Sequence, residues 1–485
     1  STEPSQKYSI REYSVSKTNS MLNVAIITLY ETGHQSFGAA SVGAWLRQAG
    51  ACVSYQDLAV QALNEAQIKT ADLIALHLPM HTATRIAAAV LPRLRQLNPT
   101  AHFCCFGLYA PINAEYLGGL GVQTILGGEF EEGLLALCRR LDGSPKQLDE
   151  SAHFQTEPTI SLNRQQFLTP DRSGLPPLPQ YAAVELSDKT RLTAGYTEAS
   201  RGCKHLCRHC PITPVYKGAF RVVQKEVVLA DIRNQVAAGA GHITFGDPDF
   251  FNGPGHALAI VQALHAEFPD ITYDVTIKVE HLLQQRRHLP TLAKTGCLFV
   301  TSAVEAVDDA ILTRLDKGHT TADFTDAVHL LRAAELHMSP TFVAFTPWIT
   351  PAGYMEFLRT IAQLDLIEQV APIQYAIRLL IPAGSRLLEL TEVQALVGEF
   401  DEAALVYPWR HPDPSMDELQ EAVLKVVQNG DERGLARTEI FTQVWQLAAQ
   451  FRPIHGSNAK HRYAKLPPIS LHSKPAPRLL ENWYC

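Results

Sequence analysis

Nine cysteines are spread unevenly along the 485 residues, and Cys203, Cys207 and Cys210 crowd into eight of them. They lie in GYTEASRGCKHLCRHCPITP (Gly195–Pro214), with the spacing C-x3-C-x2-C. Three thiolates on one short loop can hold three corners of a cubane iron–sulfur cluster and leave the fourth iron open. An open iron is a place for a substrate or cofactor to coordinate, so the pattern points to chemistry at the cluster more than to electron storage. The competing reading is zinc, because the loop also carries His205 and His209 and zinc takes Cys and His readily. A closed zinc site usually draws on two separated ligand pairs, and the sequence has no second C-x2-C pair. Iron–sulfur is therefore the expectation.

Further polar residues recur where later strands should end. HITFGDPDFFNG (His242–Gly253) offers Gly246 for close approach and Asp247 as an acceptor; the bland alternative is an ordinary Asp-Pro turn. In DVTIKVEH, strand alternation places Asp274, Thr276, Lys278 and Glu280 on one face and Val275, Ile277 and Val279 on the other. Parallel strands are usually apolar on both faces, so the charged face predicts a wet or ligand-filled cavity, or else a charge pair that plugs it. Ser302 and Glu305 lie in TSAVEAVDDAILTRLDKGHT, which ends in Lys317–Gly318–His319. Arg378 opens RLLIPAGSRLLE and is expected to face a substrate.

The elements that must position these groups follow from periodicity. Short apolar runs at Leu22–Tyr30, CVSYQDL, Ala71–Pro79, HFCCFGLYAP and VQTILGGEFEE alternate with helical patterns at Ala39–Gln48, Ala83–Leu97 and Glu131–Leu141. That pattern is α/β, a doubly wound parallel sheet over 21–141, whose ligands would sit at the strand carboxyl ends. The loops there are ETGHQSFG, GLYAP with Gly107, and GGEFEE with Gly127 and Gly128. Residues 142–190 read as a linker, with PPLPQ (Pro176–Gln180) extended and not helical. Over 191–385 six strand–helix units are expected, with strands near Leu192–Glu198, His242–Gly246, Ile271–Val279, Leu298–Val304, Ser339–Thr346 and Ile373–Ile381. Six units suit a partial (β/α)6 barrel and not a closed eight-fold one. Residues 386–460 read as a mostly helical region, 461–485 as an irregular tail and 1–20 as a disordered extension.

Composition bounds the rest. The net charge is −7, with 42 basic and 49 acidic side chains, which excludes a polybasic nucleic-acid coat and gives no reason to expect an anionic membrane partner. No apolar run approaches ~18 residues, and the first 20 lack a signal-like apolar core. An odd cysteine count in a chain of this length argues against a disulfide framework, so a reducing cytoplasm is expected.

On the cysteine loop and the later motifs, the chain resembles the radical S-adenosylmethionine (radical SAM) superfamily. The resemblance implies a [4Fe–4S] cluster on Cys203, Cys207 and Cys210, with S-adenosylmethionine chelating the open iron and a 5′-deoxyadenosyl radical released on reductive cleavage. It implies SAM contacts by His209, which replaces the usual aromatic residue, by Gly246 and Asp247 in place of the Gly-Gly-Glu-like motif, and by Ser302 and Glu305. An external electron donor such as flavodoxin or ferredoxin and a small-molecule substrate are expected, the latter met by Lys278, Glu280 and Arg378.

Residues 21–141 resemble the cobalamin-binding domain (Rossmann-like) of one radical SAM class, through QSFGAASVGAWLRQAGACVSYQDL, GLYAP and GGEFEEGLLAL. That implies cobalamin against residues 32–38, 107–111 and 127–131, and a radical methyltransferase. The Asp-x-His-x-x-Gly motif is absent, and His34 has the wrong spacing; many class members leave the lower cobalt face unligated. Bottom-up, the domain could equally bind another nucleotide-like ligand or nothing. A radical SAM enzyme without cobalamin, and a non-catalytic iron–sulfur or zinc module, are the alternatives. Finally, EASRGCKHLCRHCP, HITFGDPDFFNGP, TIKVEHLL, FVAFTPW and the ending NWYC are similar to the CUAEP/CCAEP-tail (seleno)protein group. The resemblance implies that the natural gene continues through a UGA codon after Cys485, and that Cys485, docked by Trp483 and Tyr484, serves the active site.

Overall fold

A computed structural model describes residues 22–142, 157–451 and 476–480. The expected extension 1–20, most of the tail, and with it Cys485, lie outside the described residues.

Five short strands build the first sheet: β1 (Asn23–Thr28), β2 (Cys52–Asp57), β3 (Leu73–His77), β4 (His102–Phe106) and β5 (Thr124–Gly128). A two-residue edge, β6 (Ile160–Ser161), completes it, and all pairs run parallel in the order β2-β1-β3-β4-β5-β6. Side chains of β1 alternate between two cores, Ala25 and Ile27 in one, Val24 and Ile26 in the other. The helix His81–Leu97 covers the first face through Ala83, Ala87 and Leu91. Helices Phe37–Gln48 and Glu131–Leu141 cover the second through Val42, Leu46 and Leu134. Both faces are thus buried, as a parallel sheet requires.

The second sheet contains β7 (Ala183–Glu185), β8 (Arg191–Thr197), β11 (His242–Phe245), β12 (Thr272–Thr276), β13 (Cys297–Glu305), β14 (His337–Phe342) and β15 (Arg478–Leu480), while β9 (Ser200–Gly202) and β10 (Phe220–Val222) form a separate hairpin. Its order is β14-β13-β12-β11-β8-β7-β15. β8, β11, β12, β13 and β14 are parallel, the curled wall of a partial barrel. β7 and β15 are antiparallel additions at its edge. The expected sixth strand shrinks to one parallel bridge, Phe345↔Arg378, with hydrogen bonds from Phe345 N to Ile377 O and from Leu379 N to Phe345 O. A 3-10 turn at Pro372–Tyr375 takes up the residues that would have lengthened it.

The segment expected as a linker does more than connect. It supplies β6 to one sheet and β7 to the other. PPLPQ is extended only at its start: Leu178–Gln180 is a short 3-10 turn, with proline at its first positions. Proline's missing N–H costs nothing there. From this segment Arg172 ties the domains together. Its guanidinium donates to Asp231 Oδ1 (2.7 Å) and Oδ2 (2.9 Å), to Tyr196 O (2.6 Å) and to Gln35 Oε1 (2.8 Å). The helices Pro414–Glu432 and Arg437–Gln450 pack Met416, Leu419, Phe441 and Trp445 into the barrel's core. No helix of the described residues is long and apolar enough to cross a membrane.

Candidate active site at the barrel mouth

The cysteine loop leaves β9 at Gly202 and is framed by the β9–β10 hairpin. Gly202 has φ +74°, and a Cβ there would stand 2.3 Å from the Tyr216 ring, so no side chain fits. Asp247, just after β11, fixes the base of the loop: its carboxylate accepts from Ala199 N (2.8 Å) and Ser200 Oγ (2.5 Å). Burial pushes Asp247 up to about 7 against those hydrogen bonds. Gly246 beside it admits the Tyr196 hydroxyl, 2.0 Å from where a Cβ would be. Loop carbonyls are tied down in turn: Cys207 O accepts from Thr213 Oγ1 (3.0 Å), Leu206 O from Arg386 Nη1 (2.6 Å) and Arg208 O from Ser385 Oγ (3.2 Å).

Cys207 is buried, and Cys203 and Cys210 are half-buried. Burial first, and the neighbouring thiols after it, push Cys210 up to about 12. Cys203 is raised for the same leading reason. Cys203 and Cys210, raised by burial and in smaller part by neighbouring thiols, need a cation beside them to become thiolates. A three-cornered cluster supplies that, so the donor set fits a [4Fe–4S] group.

Glu305 comes to this loop from the end of β13. Its Oε1 accepts from His209 Nε2 (3.1 Å) and from the Lys317 ammonium (3.3 Å). Burial raises the carboxyl, but Lys317 and His209 outweigh it and hold Glu305 at about 2. Its backbone is left-handed, φ +69°, at an irregularity in the β13–β14 pairing. A non-glycine residue held there stores strain, which is commonest at functional sites. Lys317 also feels Cys207 and Cys210.

Lys278 and Glu280 are placed differently from expectation. β12 ends at Thr276, Lys278 caps the helix Val279–Gln284, and Glu280 lies in its first turn. The strand's alternation therefore stops before they are reached. Asp274 and Thr276 do line the barrel lumen. Lys278 Nζ instead sits 3.1 Å from Glu280 Oε2 and 3.2 Å from His205 Nδ1, beside the cysteine loop. Asp249 completes this corner, 2.6 Å from His281 Nδ1. Donor atoms of Cys203, His205 and Asp249 lie within 4.8 Å of one another, a set that a single zinc ion could also use.

Ser302 does not meet the lumen. Phe299 and Thr301 line it, while Ser302 shares the opposite face with the core residue Val300, its buried hydroxyl without a partner among the described residues. Arg378 is also engaged elsewhere: it pairs with Asp417 (2.6 Å), donates to Trp409 O (2.7 Å) and lies over the Trp409 ring. It ties the barrel's last turn to the helix Pro414–Glu432.

Two cavities meet at Tyr196 and Gly246, which line both. The barrel lumen is about 240 Å³. A crevice of about 140 Å³ lies between the domains, walled by His77, Leu108, Gly128 and Phe130 on one side and by Arg201 and Tyr216 on the other. Of the loops expected to hold a ligand there, Leu108, Gly128 and Phe130 face it, but a Cβ at Gly107, Gly127 or Gly128 would strike Leu78, Pro111 or Ser161, protein atoms in each case. His34 does not face the crevice; it enters the lumen and stacks on Tyr196 at 4.9 Å. Burial lowers His34 to about 4.

In the wall of the crevice sits a group that sequence reasoning missed. Arg201 donates to Glu131 (2.8 Å) and Glu198 (2.5 Å), lies 3.9 Å from Glu129, and packs over the Phe130 and Phe167 rings. Glu129 and Glu131 come from the first domain and Arg201 from the second. The available signal was Arg201's place two residues before Cys203 and the acid-rich EFEE at a strand end.

Comparison with known proteins agrees with this geometry. Residues 197–348 match the Radical SAM superfamily. A tRNA-2-methylthio-N(6)-dimethylallyladenosine synthase of Desulfosudis oleivorans is 27% identical over 198 residues, which is 39% of this chain and 40% of that protein. This chain thus spans less than half the length of that relative. The fold is shared with the cobalamin-dependent S-adenosylmethionine radical enzyme OxsB in its aqua-cobalamin-bound structure (TM-score 0.66, 17% identity, 84% of this chain, 67% of that one). It is shared too with the radical S-adenosylmethionine methyltransferase TsrM from Kitasatospora setae, bound to tryptophan and aza-SAM (TM-score 0.58, 15% identity, 77% and 76%). The three-cysteine loop, at the carboxyl end of a five-stranded parallel wall, lies within the stretch 197–348 that matches the Radical SAM superfamily.

Proposed function

We propose that this protein is a radical SAM methyltransferase that acts on a small molecule in the barrel lumen and uses cobalamin held between the domains. The observation that carries the reading is the cysteine loop at the carboxyl end of the parallel wall, its His209 held by Glu305, which Lys317 also meets. When bound, the cluster and S-adenosylmethionine supply a 5′-deoxyadenosyl radical, and cobalamin supplies a carrier for the methyl group.

The chain's own residues have separate tasks. Cys203, Cys207 and Cys210 hold the cluster. Asp247 keeps the loop's base in place, and the Gly246 backbone gives access from lumen to crevice. Glu305 stays ionised through Lys317 and His209, which makes it an acceptor for a cationic or hydroxyl group of S-adenosylmethionine. Gly246 to Pro248 and Glu305 would hold that cofactor, with Thr301 on the lumen face where Ser302 was expected.

For cobalamin the crevice fits in kind and not in size. Its walls come from the carboxyl ends of both sheets, where such folds bind ligands. At about 140 Å³ it is smaller than a corrin macrocycle, so binding requires the walls to part. The same narrowness favours a second reading, a radical SAM enzyme that works without cobalamin. The likeness of its motifs supports placing the chain near the CUAEP/CCAEP-tail group, which sequencing of the codon after Cys485 tests.

Anaerobic purification decides among these. About four irons and four sulfides per chain, a broad visible absorption that bleaches on reduction, and release of 5′-deoxyadenosine are expected. Zinc in place of iron sinks the enzymatic reading. Failure to retain hydroxocobalamin on reconstitution leaves the second reading.

A further inference from the structure

The lumen has a floor of its own. The partial barrel leaves a gap between β14 and the β7 edge, and three segments close it: residues 369–374, the start of the helix Arg437–Gln450, and β15 with the two residues before it. Two arginines line the cavity there, Arg437 and Arg478. They differ in how their charge is met. Arg478 donates to Glu185 Oε1 at 2.8 Å. Arg437 donates to a backbone carbonyl, Glu368 O, at 2.6 Å. Among the described residues no carboxylate comes within ion-pair distance of its guanidinium.

We propose that the lumen takes a small molecule carrying a carboxylate or phosphate group, and that Arg437 pairs with that group. The inference rests on the reading of the lumen as the substrate site. A guanidinium has five donors and a planar fork matched to such oxyanions. A part-buried cation without an ionic partner is costly unless something supplies one. Burial first and Arg478 second depress Arg437 below its ordinary value, while Tyr375, Glu368 and Asp431 act the other way without prevailing. Asp274, the one carboxylate that lines the lumen among the described residues, has its Oδ1 committed to His242 Nε2 (2.9 Å) and Thr244 Oγ1 (2.7 Å). A cavity of about 240 Å³ accommodates a group of metabolite size. The anion would be held at the floor, and the rest of the molecule would extend past Thr276 and Thr301 toward the cysteine loop at the mouth.

The test uses the full chain, reconstituted with iron and sulfide and saturated with S-adenosylmethionine. Succinate, inorganic phosphate and neutral succinamide are titrated in a calorimeter. Saturable binding of succinate or phosphate, with succinamide silent, is expected, and the better anion identifies the group. Arg437→Gln should weaken that binding about tenfold or more, and Arg437→Lys should recover part of it. The proposal is overturned if neither anion binds the wild-type protein, if succinamide binds equally well, or if Arg437→Gln binds as the wild type does. Should Arg437→Gln fail to fold, the charge dependence in the wild type and the Arg437→Lys affinity still decide. Release of 5′-deoxyadenosine by the wild-type protein is measured separately. Its absence sinks the enzymatic reading, whereas its presence without anion binding sinks this one alone.

Discussion

Glu31 and His77 lie 3.7 Å apart, and each is driven toward its uncharged form. Burial, with Glu198 and Asp57 nearby, raises Glu31 to about 8 from an ordinary 4.5; burial and Arg201 lower His77 to about 3. A carboxyl raised in the folded state contributes stability that is complete below about pH 4.5 and is lost as pH climbs through 8. Glu31→Gln removes that loss. Its unfolding free energy in denaturant titrations should therefore gain on the wild type between pH 5 and pH 9, by on the order of a few kcal/mol. Parallel pH profiles for the two proteins would contradict the assignment. At the cysteine loop, replacing Cys203, Cys207 or Cys210 by Ala should abolish both iron retention and S-adenosylmethionine cleavage; full iron content in any one of them would refute the three-cornered site. These cysteines were legible because their spacing is local and complete within one loop. Ser302 was not, because one residue along a strand reverses the face, and only the pairing shows that Thr301 looks inward.

At the scale of elements, long periodic segments were read well and edges poorly. The helix Glu131–Leu141 and the strand core of β13 emerge from periodicity alone. β6, β7 and β15 are two or three residues long, too short for alternation to register, and each exists because a neighbouring strand leaves an edge to pair with. Lys278 and Glu280 show the same limit from the other side: alternation was carried past the point where the backbone turns into a helix. β15 pairs Arg478, Leu479 and Leu480 with Glu185, Val184 and Ala183. A chain ending at residue 475 should therefore lose amide protection at 183–185, and its neighbour β8 should exchange faster at 191–193, as read by hydrogen exchange. Unchanged protection there would mean that the tail strand does not support the sheet.

Across the whole molecule, the domain interface rests on a buried arginine among carboxylates. Arg201→Ala would leave Glu129, Glu131 and Glu198 without their cation and should cost about 3–5 kcal/mol in a denaturant titration. A cost under 1 kcal/mol would show that the carboxylates take up protons instead. The sequence marked both partners, Arg201 beside the cysteines and the acid-rich EFEE, but not their pairing, since Glu131 and Arg201 are seventy residues apart and belong to different domains. His34 makes the same crossing in the other direction, leaving the first domain to stack on Tyr196 inside the second. The two halves are therefore not interchangeable cassettes. A chimera that grafts another amino-terminal half onto this barrel would inherit a reaction chamber with one panel missing, and exchanges of function by recombination in this architecture must carry the loop at 31–36 along with the barrel it enters.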